Sequence, residues 1–280
     1  MLSSALYRGR IAPSPTGYLH LGHARTFLIA VERAKQFNGK LILRNEDLDR
    51  DRCRPEFAAG MLEDLRWLGI DWTEGPDRGG EYAPYAQSQR RTCYLRMWQA
   101  LRDSGFIYPC TCSRKDLAAS IAAPNHLDDE PIYPGTCRAR DADHHEPAGV
   151  NWRFRIPEGE QITFLDLHFG EQAFVAGRDF GDFVVWRRDD VPAYQLAVVA
   201  DDHAMRITEV VRGADLLKST ARQLLLYRAL RWAVPDFYHC DLVRDEAGAR
   251  LAKRHDALSI RALRESGWTA EQVRARAFAL

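Results

Sequence analysis

The chain has 280 residues, 46% hydrophobic and 28% charged, which is enough for one large or two modest domains with true cores and is ordinary for a globular protein. Its 39 basic and 39 acidic residues cancel, so no overall field draws a polyanion and a nucleic-acid partner has to be met by a local patch. No run approaches the roughly eighteen apolar residues of a membrane helix, and Met1 to Arg10 lacks the apolar core of a signal peptide; a cytoplasmic protein without membrane contact is expected.

A short apolar strand, Tyr7 to Ala12, leads into Pro13-Ser14-Pro15-Thr16-Gly17-Tyr18-Leu19-His20-Leu21-Gly22-His23. Beyond it, Ala24, Phe27, Leu28, Val31, Ala34 and Phe37 recur at helical spacing and Asn38-Gly39 supplies a left-handed stop, so a helix is expected from about Gly22. Its unpaired amides and positive dipole end face the loop, a setting for polyphosphate. His20 and His23 place two donors where charge builds up on an α-phosphate under attack, often the largest catalytic contribution. Two histidines at a helix start also serve simply as caps.

Lys40 to Arg44 reads as a buried strand that completes a strand-helix-strand unit of a parallel sheet. Ligands of such sheets bind beyond the carboxyl ends of the strands, so Arg10 and the Asn45-Glu46-Asp47-Leu48-Asp49 cluster are expected to face one crevice. Glu46 there suits an amino group and arginine a carboxylate. Glu56 to Leu68 and Gln87 to Ser104 are helices, stopped by Gly69 and Gly105. Trp67 and Trp72 are expected in packing rather than as stacking platforms for bases.

Three of the six cysteines cluster in sequence: Cys110 and Cys112, then Cys137 in a Pro-Gly turn. Neighbouring thiols one residue apart do not pair comfortably with each other but can share a Zn²⁺, with Cys137 as third ligand. Tyr133, His126, His144 and His145 compete for the fourth place. The polar segment 113–150 is expected to be the least ordered. From Val150 to Trp186 the pattern changes to short strands, Trp152 to Ile156, Ile162 to Phe169 and Phe183 to Trp186, a mostly antiparallel region. Arginines alternate with aromatics over 152–155, which fits either RNA binding or a half-buried strand with a solvated face.

The parallel sheet is expected to resume at Tyr194 to Asp202 and again at Ile207 to Val211, with Arg212 just past that strand. Ser219-Thr220 starts a helix to Leu230. Last come the basic loop Ala249 to His255 and two short helical stretches.

Taken together, these strings carry a resemblance. His20-Leu21-Gly22-His23 resembles the HIGH signature of class I aminoacyl-tRNA synthetases, and Arg10-Ile11-Ala12-Pro13-Ser14-Pro15-Thr16-Gly17 looks like the glutamyl and glutaminyl branch of that class. Glu46-Asp47-Leu48-Asp49, Tyr194-Gln195, Val211 to Asp215 and Arg250-Leu251-Ala252-Lys253-Arg254, a degenerate KMSKS loop with Ala252 in place of serine, extend the likeness to the catalytic half of glutamyl-tRNA synthetases. The chain ends soon after that loop, where a conventional glutamyl enzyme continues into a domain that reads the anticodon. With the Cys-x-Cys and Tyr-x-x-x-Cys set, this resembles the glutamyl-queuosine tRNA(Asp) synthetases.

The resemblance implies an α/β fold, a class I Rossmann-type parallel sheet with an inserted zinc-bearing, partly antiparallel subdomain. It divides as 1–105 and 191–280 for the two catalytic halves, 106–190 for the insert, and no anticodon-binding domain. The implied reaction is ATP-dependent, tRNA-independent activation of L-glutamate, then transfer to the queuosine base at the wobble position of tRNA(Asp). In the same way His20, His23 and Lys253 are implied as catalytic and ATP-binding, and Arg10, Ile11, Ala12, Pro13, Ser14, Glu46, Tyr194 and Arg212 as glutamate-binding. Cys110, Cys112, Tyr133 and Cys137 are implied as ligands of one structural Zn²⁺, with Mg²⁺ accompanying ATP and a monomer expected. Two other readings of the residues are a truncated synthetase that charges the tRNA 3′ end and a non-catalytic RNA-binding paralogue.

Overall fold

The computed structural model describes residues 6–113, 132–139, 144–243 and 259–279, which group into two compact units. The first unit comprises Met1–Arg90, Met205–Leu216 and Pro235–Leu280. In it β1 (Arg8–Ile11) and β2 (Lys40–Leu43) pair in parallel, joined by α1 (Leu21–Gln36). Strand β9 (Glu209–Gly213) pairs in parallel with β10 (Asp236–Cys240). It runs alongside β1 in the same sense, since the Thr208 amide donates to Arg8 O (2.9 Å) and Arg10 Nη1 to Val211 O (2.6 Å). The carboxyl ends of β1, β2, β9 and β10 therefore point one way.

Helix α1 is held by local chemistry at both ends. His20 caps its start, and at its stop Asn38 takes the left-handed conformation (φ 48°). Gly39 follows because a Cβ there would lie 2.5 Å from the Tyr7 carbonyl oxygen. One core joins Leu28 and Val31 of α1, Met61 and Leu65 of α2 (Pro55–Trp67), Ile260 and Leu263 of α6 (Ile260–Glu265), and Val273 and Ala277 of α7 (Ala270–Ala279). Trp72 belongs to it, with Nε1 donating to Asp77. The two short C-terminal helices and the packing role of tryptophan thus match expectation.

Asp64 of α2 is an exception in this apolar setting. Its side chain is 0% exposed and neither carboxylate oxygen has a hydrogen-bond partner among the described residues. Burial pushes its pKa up to about 6, outweighing the nearby Arg261 and Arg264 guanidinium groups. An acid with a raised folded pKa opposes folding once it ionises, so its cost grows as pH rises from about 4 to about 6 and is constant above. Asp64→Asn is expected to stabilise the protein, by about 1–2 kcal/mol more at pH 8 than at pH 5. Urea midpoints at the two pH values measure this; a gain independent of pH would contradict it.

The second unit comprises Arg91–Ala204 and Leu217–Val234. Its antiparallel sheet has the order β3 (Ile107–Cys110), β4 (Asn151–Phe154), β7 (Val184–Arg187), β8 (Val191–Pro192). Beside it lie the helices α3 (Arg91–Asp103), α4 (Tyr194–Ala204) and α5 (Leu217–Leu230). A β-hairpin is formed by β5 (Gln161–Asp166) and β6 (Gly170–Val175).

Two expectations are corrected here. Tyr194 to Asp202 is not a strand but α4: Gln195 to Asp202 are buried without a break, and an uninterrupted apolar run reads alike as a core strand or a core helix. Tertiary bonds suit the helix, with Tyr94 Oη donating to Asp201 (2.9 Å) and Gln195 to Ser219 (3.1 Å). Ile162 to Phe169 is not one strand either. The Asp166 carboxylate accepts from the amides of His168 and Phe169, and Gly170 adopts φ 73°, which turns the chain back into β6.

Of the polar segment 113–150, residues 114–131 and 140–143, including His126, lie outside the described residues, as does 244–258 with Lys253 and the whole basic loop. Among the described residues no helix is long and apolar enough to cross a membrane.

Candidate active site and thiol cluster

The loop from β1 into α1 is shaped by its own histidines. The Gly22 amide donates to His20 Nδ1 and the His20 amide to His23 Nδ1, each at 3.2 Å, and the two rings lie 3.8 Å apart between centroids. Because each neutral ring accepts at Nδ1, its proton resides on Nε2. Capping and phosphate donation are therefore compatible: the cap selects the tautomer whose remaining nitrogen is a donor. Gly22 leaves room at this turn for the His20 ring, from which a Cβ would stand only 3.1 Å away.

The strand ends of the first unit are stitched together by the backbone. The Arg44 amide donates to Ile11 O (2.8 Å) and the Glu46 amide to Pro13 O (3.0 Å), which lays the segment carrying Glu46 along Ile11, Ala12 and Pro13. Ser14 lies at the exposed turn of this loop, its carbonyl accepting from the Thr16 amide. The Glu46 carboxylate is paired with Arg44 through Nη2 (3.0 Å) and Nε (3.3 Å), and both side chains are buried. Asp47 has a structural task instead, accepting from the amide and hydroxyl of Ser88.

Arg212 is the last residue but one of β9, with 4% of its surface exposed, and its Nε donates to Nε2 of the fully buried His239 (3.1 Å). His239 is its register partner on β10 and must be neutral at Nε2 to accept. The structure thus assembles Arg10, Ile11, Ala12, Pro13, Ser14, His20, His23, Glu46 and Arg212 within one unit. Tyr194 belongs to the other, at the start of α4 with 39% of its surface exposed. Arg44 and His239 were not singled out by the sequence. Arg44 carried a usable signal, two positions before Glu46 and so on the same side of an extended segment, whereas nothing local marks His239.

In the second unit the sulfur atoms of Cys110, Cys112 and Cys137 all lie within 4.8 Å of one another, with Cys112 and Cys137 at 3.5 Å. Tyr133 Oη is 3.4 Å from Cys110 Sγ and 3.7 Å from Cys112 Sγ, and accepts from the Cys137 amide (2.8 Å). His144 is engaged elsewhere, through Nε2 with Ala148 O (2.9 Å). Ligands at about 2.3 Å from a tetrahedral zinc are just under 4 Å apart, so the three sulfurs and the phenol fit such an ion. Burial pushes the Cys137 thiol up, but hydrogen bonds from Tyr133, the Thr111 amide and the other two thiols outweigh it and bring the thiol down to about 6. Burial dominates at Cys112, which is pushed up to about 11.

Arg153 corrects another expectation. It is 6% exposed and donates through Nε to Cys110 Sγ (3.3 Å), so it lies neither on a solvated face nor on an RNA-facing one.

Comparison with known proteins shows the family of the chain. The family described as tRNA synthetases class I (E and Q), catalytic domain, matches residues 7–277. A protein of Symbiobacterium thermophilum named glutamyl-Q tRNA(Asp) synthetase is 50% identical over 274 residues, covering 95% of this chain and 83% of that protein. One of the same name from Nitratidesulfovibrio vulgaris is 48% identical, covering 96% and 84%. Among solved structures, a glutamate tRNA ligase from Elizabethkingia meningosepticum in complex with its amino acid superposes with a TM-score of 0.78 at 31% identity. The match covers 94% of this chain and about half, 54%, of that ligase.

Proposed function

The chain belongs to the class I tRNA synthetases of the glutamyl and glutaminyl type, and from that premise we propose that it activates L-glutamate with ATP and transfers it to queuosine on tRNA(Asp). The observation that carries this reading is the likeness, at about half of all positions and over nearly the whole chain, to two proteins named glutamyl-Q tRNA(Asp) synthetase.

The chemistry follows from the strand ends. A glutamate carboxylate oxygen attacks the α-phosphorus of ATP and pyrophosphate leaves, giving glutamyl-adenylate; a hydroxyl of the acceptor base then displaces AMP from the activated carbonyl. Nε2–H of His20 and of His23 donates to phosphate oxygens as charge builds up, in a geometry set before the substrate arrives. Arg212 grips a substrate carboxylate with the fork a guanidinium offers. Glu46 accepts from the α-ammonium; its pairing with Arg44 keeps it aimed. Arg10 to Ser14 line the amino-acid pocket, and Lys253 neutralises the departing pyrophosphate. Mg²⁺ accompanies ATP through the phosphates without a protein cage of its own.

Cys110, Cys112, Tyr133 and Cys137 hold one structural Zn²⁺, which when bound fastens segment 132–139 to the end of β3. A cytoplasmic monomer suits substrates found where tRNA is modified. Exchange of labelled pyrophosphate into ATP, dependent on glutamate and run without RNA, tests the activation step. The proposal expects exchange with glutamate and none with glutamine; absence of exchange with both would overturn it.

A further inference from the structure

Arg153 brings a cation into the thiol cluster. It stands on β4 opposite Tyr108 of β3, so the antiparallel register puts its side chain on the same face as Tyr108 and Cys110. Its guanidinium makes three contacts. Nε donates to Cys110 Sγ (3.3 Å), Nη1 donates to the Asp182 carbonyl oxygen (2.8 Å), and Cζ lies 3.8 Å from the centre of the Tyr133 ring. Asp182 is itself fixed, its carboxylate accepting from the Tyr108 hydroxyl and the Ile156 amide.

A buried guanidinium is costly unless negative charge lies against it. Among the described residues the hydrogen bonds of Arg153 go to a sulfur and a backbone carbonyl, not to a carboxylate. The hydrogen-bonded group that can present negative charge to it, once it ligates a metal, is therefore Cys110 Sγ. The reverse also holds: three thiolates around a dication leave net negative charge in a buried place, whichever protonation state Tyr133 takes. The same side chain touches two of the four ligating groups, one by a hydrogen bond and one through the face of its ring. Outer-shell contacts of this kind orient ligands and set how firmly a metal is kept.

We propose that Arg153 is the outer-sphere counter-ion of the thiol cluster, neutralising the charge left when a divalent zinc-type cation is held there and fixing Cys110 and Tyr133 in ligating positions. This rests on the zinc reading above. It makes Arg153 a positioning residue, and retention of metal, rather than catalysis, is where its loss appears first.

The test is competition for Zn²⁺ between a chromogenic chelator and the full chain, in the wild type and in Arg153→Met, Arg153→Lys and Cys110→Ser. Wild type is expected to hold about one zinc per chain, and Cys110→Ser to lose it. Arg153→Met should bind Zn²⁺ about 10- to 100-fold more weakly. Arg153→Lys should fall between, because it keeps the charge but loses the planar fork and the stacking on Tyr133. With Co²⁺ at saturation, the sulfur-to-cobalt absorption of Arg153→Met should keep wild-type intensity, which shows the ligand set intact. A merely structural role would lower thermal stability without moving the chelator curve of the folded protein. Wild-type retention in Arg153→Met overturns the proposal, and if that variant does not fold, wild-type retention in Arg153→Lys does so. A wild type that takes up no zinc would instead overturn the zinc reading itself.

Discussion

Arg212→Ala is expected to lower kcat/KM for glutamate about a thousandfold in RNA-free pyrophosphate exchange, with the KM for ATP within a few-fold of wild type. Arg212 is buried near the end of β9, so a substrate carboxylate that reaches it is withdrawn from water. Removing one partner of a desolvated, hydrogen-bonded charge pair costs about 4 kcal/mol, near three factors of ten. Lysine keeps the charge but cannot donate to His239 and to a carboxylate from one rigid fork, so Arg212→Lys should recover only part of the loss. A fall shared equally by glutamate and ATP would assign Arg212 to the fold rather than to amino-acid recognition.

Lys253→Ala is expected to slow glutamate activation about a hundredfold or more, the range for one preorganised donor to developing charge. Lys253 lies outside the described residues, but the chain returns to them beside the histidine loop. Ser259 bridges to His20, and the Ile260 amide donates to Leu19 O (2.7 Å). About six residues separate Lys253 from Ser259, a reach of no more than about 20 Å. A stretch of that length is long enough for the lysine to reach a phosphate held at His20 and His23. Ala252, where the motif has serine, removes a hydroxyl but not the cation. Stopped-flow or exchange rates within a few-fold of wild type would take Lys253 out of the mechanism.

The histidine loop was legible because its determinants are contiguous: the strand, two prolines, Gly22 and two imidazoles that cap the helix they start. The ends of β1 and β2 followed from one strand-helix-strand unit and the rule that ligands sit beyond strand ends. What remained hidden is chemistry that closes only in three dimensions. Arg212 and His239 meet across a strand pair formed by segments separated by α5, and Arg153 reaches Cys110 only through the antiparallel register of β4 on β3. Helix α4 was misread because burial on every side erases the alternation that tells a helix from a strand. The turn at Asp166 was missed because it depends on one carboxylate capping two amides. The three sulfurs were legible as a set, and their meeting with Tyr133 Oη is a fact of the fold.

In the proposed reaction the glutamate leaves this protein on a modified base. The most direct measurement is transfer of labelled glutamate to two tRNA preparations, one from cells that make queuosine and one from cells that cannot. Label confined to the first, and recovered on tRNA(Asp), is the predicted result. Equal label on both preparations would mean charging of the 3′ end and would contradict it.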